Sequence, residues 1–320
     1  MRGRWLEIVL PVWLCALPVR AQDNGCTRRW VPVNVVDRKG GIVSYPDSSA
    51  FQATLHHRAV KILAAVWDEQ PRRVMILLDA SSSMSSPALR ALALQGANQL
   101  VAQMLPKTQM GLAVFSETIT QTIALTTDRQ ALREKLKDLT AKKYPCPCHT
   151  ALLDAIFESL SYFGTPQAGD VLYVISDGGE NASHRTLRDV QDAVFASGVR
   201  VFALSPETIL SDRGPIRVED VCEFFPDLVE ATGGVYVTPT RSEQTLWWAH
   251  RDDQGTLSPQ VLTHQLRQII GYYNLRIELP GPIYKASTWE LKVGLRGTEV
   301  IYPHVLPPCS ADSSPATNPK

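Results

Sequence analysis

A doubly wound, Rossmann-like α/β domain is the fold class that this sequence predicts, and three observations predict it. The middle of the chain holds continuous apolar runs, "RRVMILLDA", "MGLAVFS", "DVLYVISD" and "VRVFALSP". Stretches of helical period separate them, among them "PALRALALQGANQLVAQML", "RQALREKLKDLT", "TALLDAIFESLSYF" and "HRTLRDVQDAVFASG". Both flanks change to a strand-like pattern with Gly and Pro punctuation. Apolar strands that alternate with helices argue for a mostly parallel sheet covered on both faces. The flanks argue for a small accessory β module, with the α/β domain inserted between its halves.

The elements follow in order. The first stretch, "MRGRWLEIVLPVWLCALPVRAQ", has Arg2 and Arg4 before an apolar run to Val19 and a small residue at Ala21. It reads as an export signal over residues 1–21. The N-terminal flank, 22–70, contains "WVPVNVVDRKGGIVSY", a hairpin pattern around an Asp-Arg-Lys-Gly-Gly turn. Residues 71–245 carry the α/β alternation, including a helix near 218–231 and the strand in "GGVYVTP". Residues 246–306 add a helix over 258–270 and the strands of "YYNLRIELP" and "STWELKVGLRGTEVIYP". The tail, 307–320, is rich in Pro, Ser and Asp and has the composition of a disordered segment.

Composition narrows the function. Lys plus Arg and Asp plus Glu both number 32, so no basic face draws nucleic acid or anionic lipid. After the leader no stretch approaches the roughly 20 apolar residues of a membrane span, so no span is expected in the mature chain. An exported chain of this size is expected in the periplasm, in the cell envelope or outside the cell. Without the leader, Cys26, Cys146, Cys148, Cys222 and Cys309 remain, an odd number in an oxidising compartment. Cys26 and Cys309 border the two β flanks and are expected to clip them together. Cys222 is expected to reach Cys146 or Cys148, which leaves one thiol over.

The chemistry gathers at the strand ends. In a doubly wound sheet, ligands bind outside the carboxyl ends of the strands. Asp79, Ser81 and Ser83 follow the first of these strands, Asp177 follows "VLYVIS", and Thr150 opens the helix of "CHTALLDAI". Two carboxylates and three hydroxyls form an all-oxygen set, which suits Mg²⁺, Mn²⁺ or Ca²⁺ better than Zn²⁺. With so few carboxylates the ion keeps positive charge and can attract an acidic group from outside.

These residues carry a resemblance. Asp-x-Ser-x-Ser at 79–83, Thr150 in Thr-Ala-Leu-x-Asp-Ala and Asp177 in "ISDGGEN" resemble the metal-ion-dependent adhesion site of von Willebrand factor A domains. The likeness covers about residues 72–240. "VNVVDRKGGIV" and "HQLRQIIGYYNLRI" on either side resemble the exported VWFA-related proteins common in acidobacteria. What the resemblance implies is a divalent cation held by Asp79, Ser81, Ser83, Thr150 and Asp177, and a protein partner that offers it a carboxylate. Two departures stand out: Ser82 where glycine is frequent, and "CPCHT" where "GGT" is frequent.

Other readings compete. Asp79 and its serines can cap the following helix, which does not account for Thr150 and Asp177. Asp154 complements the dipole of its helix, and Glu180 and Asn181 shape a turn. Cys146, Cys148 and His149 contain zinc-type ligands without a second pair. His149 otherwise reads as a loop residue, and Trp247 and Trp248 as core. No Gly-x-Ser-x-Gly elbow, Walker loop or His-Glu-x-x-His is present, and the chain reads as a binding module rather than an enzyme. The alternatives are a structural envelope module with a vestigial metal site and a metal-dependent hydrolase.

The leader generates a first prediction. The mature chain begins at about Gln22, and N-terminal sequencing of the exported protein checks it. An intact Met1 on membrane-bound material shows a retained anchor instead.

Overall fold

Most strands from the middle of the chain are buried along nearly their whole length, whereas several of those from the flanks alternate, and the two groups form two sheets. The computed structural model describes residues 26–44, 46–70, 72–141, 149–167, 169–206, 224–237 and 259–309. The strands are β1 (Arg28–Asp37), β2 (Phe51–Leu55), β3 (Arg58–Asp68), β4 (Arg73–Asp79), β5 (Gln109–Phe115), β6 (Ile119–Thr126), β7 (Val171–Ile175), β8 (Arg200–Leu204), β9 (Tyr236–Val237), β10 (Tyr272–Glu278), β11 (Ser287–Val293), β12 (Thr298–Ile301) and β13 (Val305–Leu306). The helices are α1 (Pro87–Gln103), α2 (Arg129–Ala141), α3 (Leu152–Ser159), α4 (Leu187–Ser197), α5 (Phe224–Ala231) and α6 (Pro259–Ile270). The export signal, Cys146, Cys148, Cys222, Trp247, Trp248 and residues 310–320 of the tail lie outside the described residues.

The first sheet has the order β6-β5-β4-β7-β8-β9, with every pairing parallel except that of the edge strand β6. All residues of β7 and β8 are buried, as are six of the seven in β4, because apolar layers cover both faces. One layer joins Val74, Ile76 and Tyr173 to α1, α2 and α6. The other joins Leu77, Val174 and Val201 to α3, α4 and α5. This is the mostly parallel doubly wound sheet that the apolar runs predict. The edge strand β6 was not among the predicted elements, since its alternating Ile119, Gln121 and Ile123 carry no long apolar run.

The flanks form a second sheet, β12-β1-β10-β3-β2-β11-β13, antiparallel at every pairing. It is larger than a small accessory module: it has seven strands and its own core of Val33, Phe51, Leu55, Leu275, Trp289 and Leu291. The additional strands are β2 and β3. Their pattern is legible, with Phe51, Ala53 and Leu55 buried and Gln52 and Thr54 exposed. Their turn is not, because His56 and His57 adopt φ of 49° and 62°, where Asn or Gly is the usual hairpin signal. After β1 the Asp-Arg-Lys-Gly-Gly turn does form, but its second arm is a single bridge, Val36 to Ile42. β12 lies at one end of the sheet and β11 near the other, yet only residues 294–297 join them, so the sheet must curl.

Two buried polar residues tie the sheets together. Arg200, at the start of β8, donates to Asn34 Oδ1 on β1 at 2.6 Å, to Gly233 O at 2.7 and 3.0 Å, and to Gln268 O at 3.4 Å. Burial pushes its guanidinium down to about 10. Gln265 on α6 donates to Ala203 O and Val235 O at 2.9 and 2.7 Å and accepts from Tyr173 Oη at 2.6 Å. The helix is thereby held on the first sheet one residue before the chain enters β10. Such buried networks are stable only when the members are paired.

A disulfide joins Cys26 to Cys309, with Cα atoms 5.3 Å apart and a sequence separation of 283. It clips the flanks as their cysteines suggest. Cys309→Ser is expected to lower the unfolding free energy of the oxidised protein by about 2–5 kcal/mol. Denaturant titration of the parent and the variant measures it, and equal stability discards the clip as a stabilising element.

Candidate metal centre

Oxygen-bearing side chains gather at the carboxyl ends of β4 and β7. Asp79 is the last residue of β4, and Ser176 and Asp177 directly follow β7. The two strands pair in parallel with Leu78 opposite Ile175, so Asp79 and Ser176 arrive side by side. Ser176 Oγ donates to Asp79 Oδ2 at 2.6 Å, and Ser81 N donates to Oδ1 at 2.8 Å. Beyond Asp79 the chain turns through a short 3-10 helix, Ser83–Ser85, which leaves Ser81 Oγ and Ser83 Oγ 3.1 Å apart. Ser82 has φ −64°, in the right-handed region open to any residue. The glycine frequent at this position is therefore not required.

Thr150 arrives from a different direction. It lies two residues before α3, whose N-cap is Ala151, and so does not itself open the helix. A Cβ placed on Gly179 would stand 3.2 Å from Asp177 Oδ1 and 3.8 Å from Thr150 Oγ1. Both oxygens thus lie beside Gly179. Two loops hold Thr150 there: its N–H donates to Asn181 Oδ1 at 2.8 Å, and its carbonyl accepts from Asn181 N and Ala182 N at 2.9 and 3.1 Å. Ala151 N donates to Ser116 O beyond β5 at 2.9 Å, and His149 N to Glu117 Oε1 at 3.1 Å.

Glu180 and Asn181 do shape the turn, and they do more than that. Glu180 Oε2 accepts from Leu153 N in the first turn of α3 at 2.8 Å, while Oε1 accepts from Ala182 N and Ser183 N. Asp154 accepts from His184 N and Arg185 N at 2.9 and 3.0 Å. Burial pushes the Asp154 carboxyl up, but these bonds and the His184 side chain outweigh it and hold the group below its ordinary value. Asp154 is accordingly a loop brace at the helix start. Ser176, Glu180 and Asn181 are the supporting residues that sequence reasoning did not place. The signal for Ser176 was a lone hydroxyl closing an apolar strand in "VLYVIS". No local pattern marks Asn181.

The electrostatics of the cluster are unbalanced. Asp79 and Asp177 are both buried, and among the described residues no Lys, Arg or His forms an ion pair with either. Burial, and then the Asp177 carboxylate, push the Asp79 carboxyl up to about 6, against hydrogen bonds from Ser176 and Ser81. A divalent cation fits this donor set: hard oxygens, two negative charges and no resident positive charge. Among the described residues no group of three or more His, Cys, Asp or Glu is placed to hold a metal ion. The hydroxyl-rich cluster is therefore the candidate centre, and the zinc alternative at Cys146 and Cys148 lies outside the described residues.

The fold and its strand-end cluster define a doubly wound α/β domain with carboxylates and hydroxyls at one sheet edge. Residues 74–180 match the von Willebrand factor type A domain family, and the chain contains such a domain. No curated protein matches the chain. Among solved structures, it is similar to the conserved hypothetical protein BatB from Bacteroides thetaiotaomicron, with 20% identity, a TM-score of 0.43, and coverage of 62% of this chain and 98% of that one. A von Willebrand factor type A protein from Catenulispora acidiphila gives 10% identity and a TM-score of 0.47, covering 92% and 77% of the two chains. Manganese-loaded Plasmodium vivax TRAP protein gives 14% and 0.45, covering 74% and 96%.

The raised Asp79 carboxyl has a measurable consequence in metal-free protein. A carboxyl that titrates near 6 when folded and near 3.8 when unfolded favours folding in its protonated form. That stabilisation is full below the unfolded value and is lost as pH rises through about 6. Relative to Asp79→Asn, the chelated parent is expected to lose stability between about pH 4 and pH 6, by about 3 kcal/mol. Denaturation at each pH checks it, and parallel profiles for the two proteins refute it.

Proposed function

We propose that this protein is an exported, metal-dependent protein-binding module. Asp79, Ser81, Ser83, Thr150 and Asp177 would hold Mg²⁺, or Mn²⁺ or Ca²⁺ in its place. The observation that carries the reading is the pair of buried carboxylates at the strand ends, with which no basic side chain among the described residues forms an ion pair. The cation, when bound, supplies positive charge and an open coordination position for the acidic side chain of a partner protein.

The chain's own residues prepare that contact. Ser176 and the Ser81 amide orient the Asp79 carboxylate, so its direction does not depend on the ligand. Asn181 and Glu180 fix the loop before α3, which sets the position of the Thr150 hydroxyl. Preorganised oxygens lower the ordering cost of capture. Von Willebrand factor type A domains are typically interaction modules, and this one has no nucleophile–base pair or Walker loop among its motifs. Export is supported by the leader and by the Cys26–Cys309 disulfide, since such bonds persist in oxidising compartments. Among the described residues no helix is long and apolar enough to cross a membrane.

Asp79→Ala and Asp177→Ala are each expected to fold and to lose Mg²⁺ affinity by at least about tenfold, because each removes half of the anionic charge at the site. Calorimetric titration reads the affinity. In a pull-down from cell-envelope extract, the parent captures its partner with Mg²⁺ present, and chelator or either substitution releases it. Unchanged Mg²⁺ affinity in both folded variants overturns the ligand set, and capture indifferent to chelator overturns the mechanism.

A further inference from the structure

A cleft of about 220 Å³ opens where the two sheets meet, at the amino ends of β7 and β8. It is remote from the Asp79 cluster, which lies at the carboxyl ends. Its lining is mostly apolar: it includes buried Val194, Val199 and Leu306 and half-exposed Trp30, with Gln167, Ser197 and Thr232 as its neutral polar side chains. The volume is below the roughly 300–1,000 Å³ of drug-sized pockets, so it suits a short apolar body.

Arg29 is the one charged residue in the lining. Its Nε donates to Cys26 O at 3.0 Å, Nη1 to Pro307 O, and Nη2 to Cys309 Sγ at 3.5 Å. Every one of these acceptors is neutral, and among the described residues no carboxylate pairs with the guanidinium. Burial lowers its pKa, as a charge withdrawn from water without a counter-ion requires. Nη2 makes a second, longer contact with Cys26 Sγ at 3.9 Å, so of the five N–H donors of an arginine one, on Nη1, is left over. A lone cation beside apolar walls is complementary to an anion with an apolar tail.

The walls decide between a peptide and a small molecule. A peptide would need main-chain partners along the edge strand β13, but Pro303 and Pro307 on either side of it have no N–H to offer. We propose that the cleft binds a small apolar carboxylate of the medium-chain fatty acid type, with the carboxylate at Arg29 and the chain lying against Val194, Val199 and Leu306.

Octanoate is the probe, with octanol and acetate as its uncharged and tail-less counterparts. Chelator is present throughout, so that no carboxylate is drawn to the strand-end cluster. Octanoate is expected to raise the thermal midpoint of the oxidised chain by about 2–4 °C at roughly ten times its Kd, and octanol and acetate much less. Arg29→Gln removes the preference for octanoate over octanol, and Arg29→Lys keeps part of it. Val305→Trp fills the mouth of the cleft without altering the guanidinium and removes the response, so the question remains decidable if Arg29→Gln does not fold. No response in the parent, equal responses to octanol and octanoate, an unchanged response in Val305→Trp, or a response confined to peptides with apolar C-termini overturns the proposal.

Discussion

The parallel register of β4 against β7 is the constraint on which the candidate centre rests. With Leu78 opposite Ile175, the next residues on the two strands are Asp79 and Ser176, and the hydroxyl lands on the carboxylate. Asp177 then follows on the same edge. A slip of one residue would turn the alternate side chains of β7 to the other face and bury Tyr173 away from Gln265. The apolar layers on both faces therefore enforce the register, and the register enforces the meeting of two like charges. Packing thereby buries Asp79 and sets two like charges against each other, and this raises the Asp79 carboxyl.

The second sheet depends on the first through a narrower set of contacts. Arg200 reaches Asn34, Gly233 and Gln268 from a single position at the start of β8. All its acceptors are neutral, so the joint is held by hydrogen bonds rather than by charge pairing. The flank sheet has its own apolar core, and Ile301 of β12 also packs against the core of the first sheet.

Much of this was legible in the sequence, for identifiable reasons. Continuous apolar runs announce strands covered on both faces, and β4, β7 and β8 follow them. Asp79, Ser81, Ser83 and Asp177 were legible because strand ends in a doubly wound sheet share one edge. Thr150 was expected to open α3, but Ala151 and not Thr150 precedes the helix as its cap. The β2–β3 hairpin was hidden by the His56–His57 turn, and β6 by its alternation. Asn181 and Glu180 were read only as turn residues because their partners, Thr150 and Leu153, lie about 30 residues away in sequence. Long-range hydrogen bonds of this kind leave no local signature.

The Cys26–Cys309 bridge has a mechanical meaning as well. β1 and the strand that leads to Cys309 lie within one curled sheet, and the bridge joins the first and the last of the described residues. Tension applied through residues before Cys26 and after Cys309 passes across one covalent link and bypasses the 13 strands of the described residues. The folded body bears no load from its own tethers. A pull can reach the α/β domain only through whatever is gripped at its surface, so the grip and not the fold sets the force at which such an attachment fails.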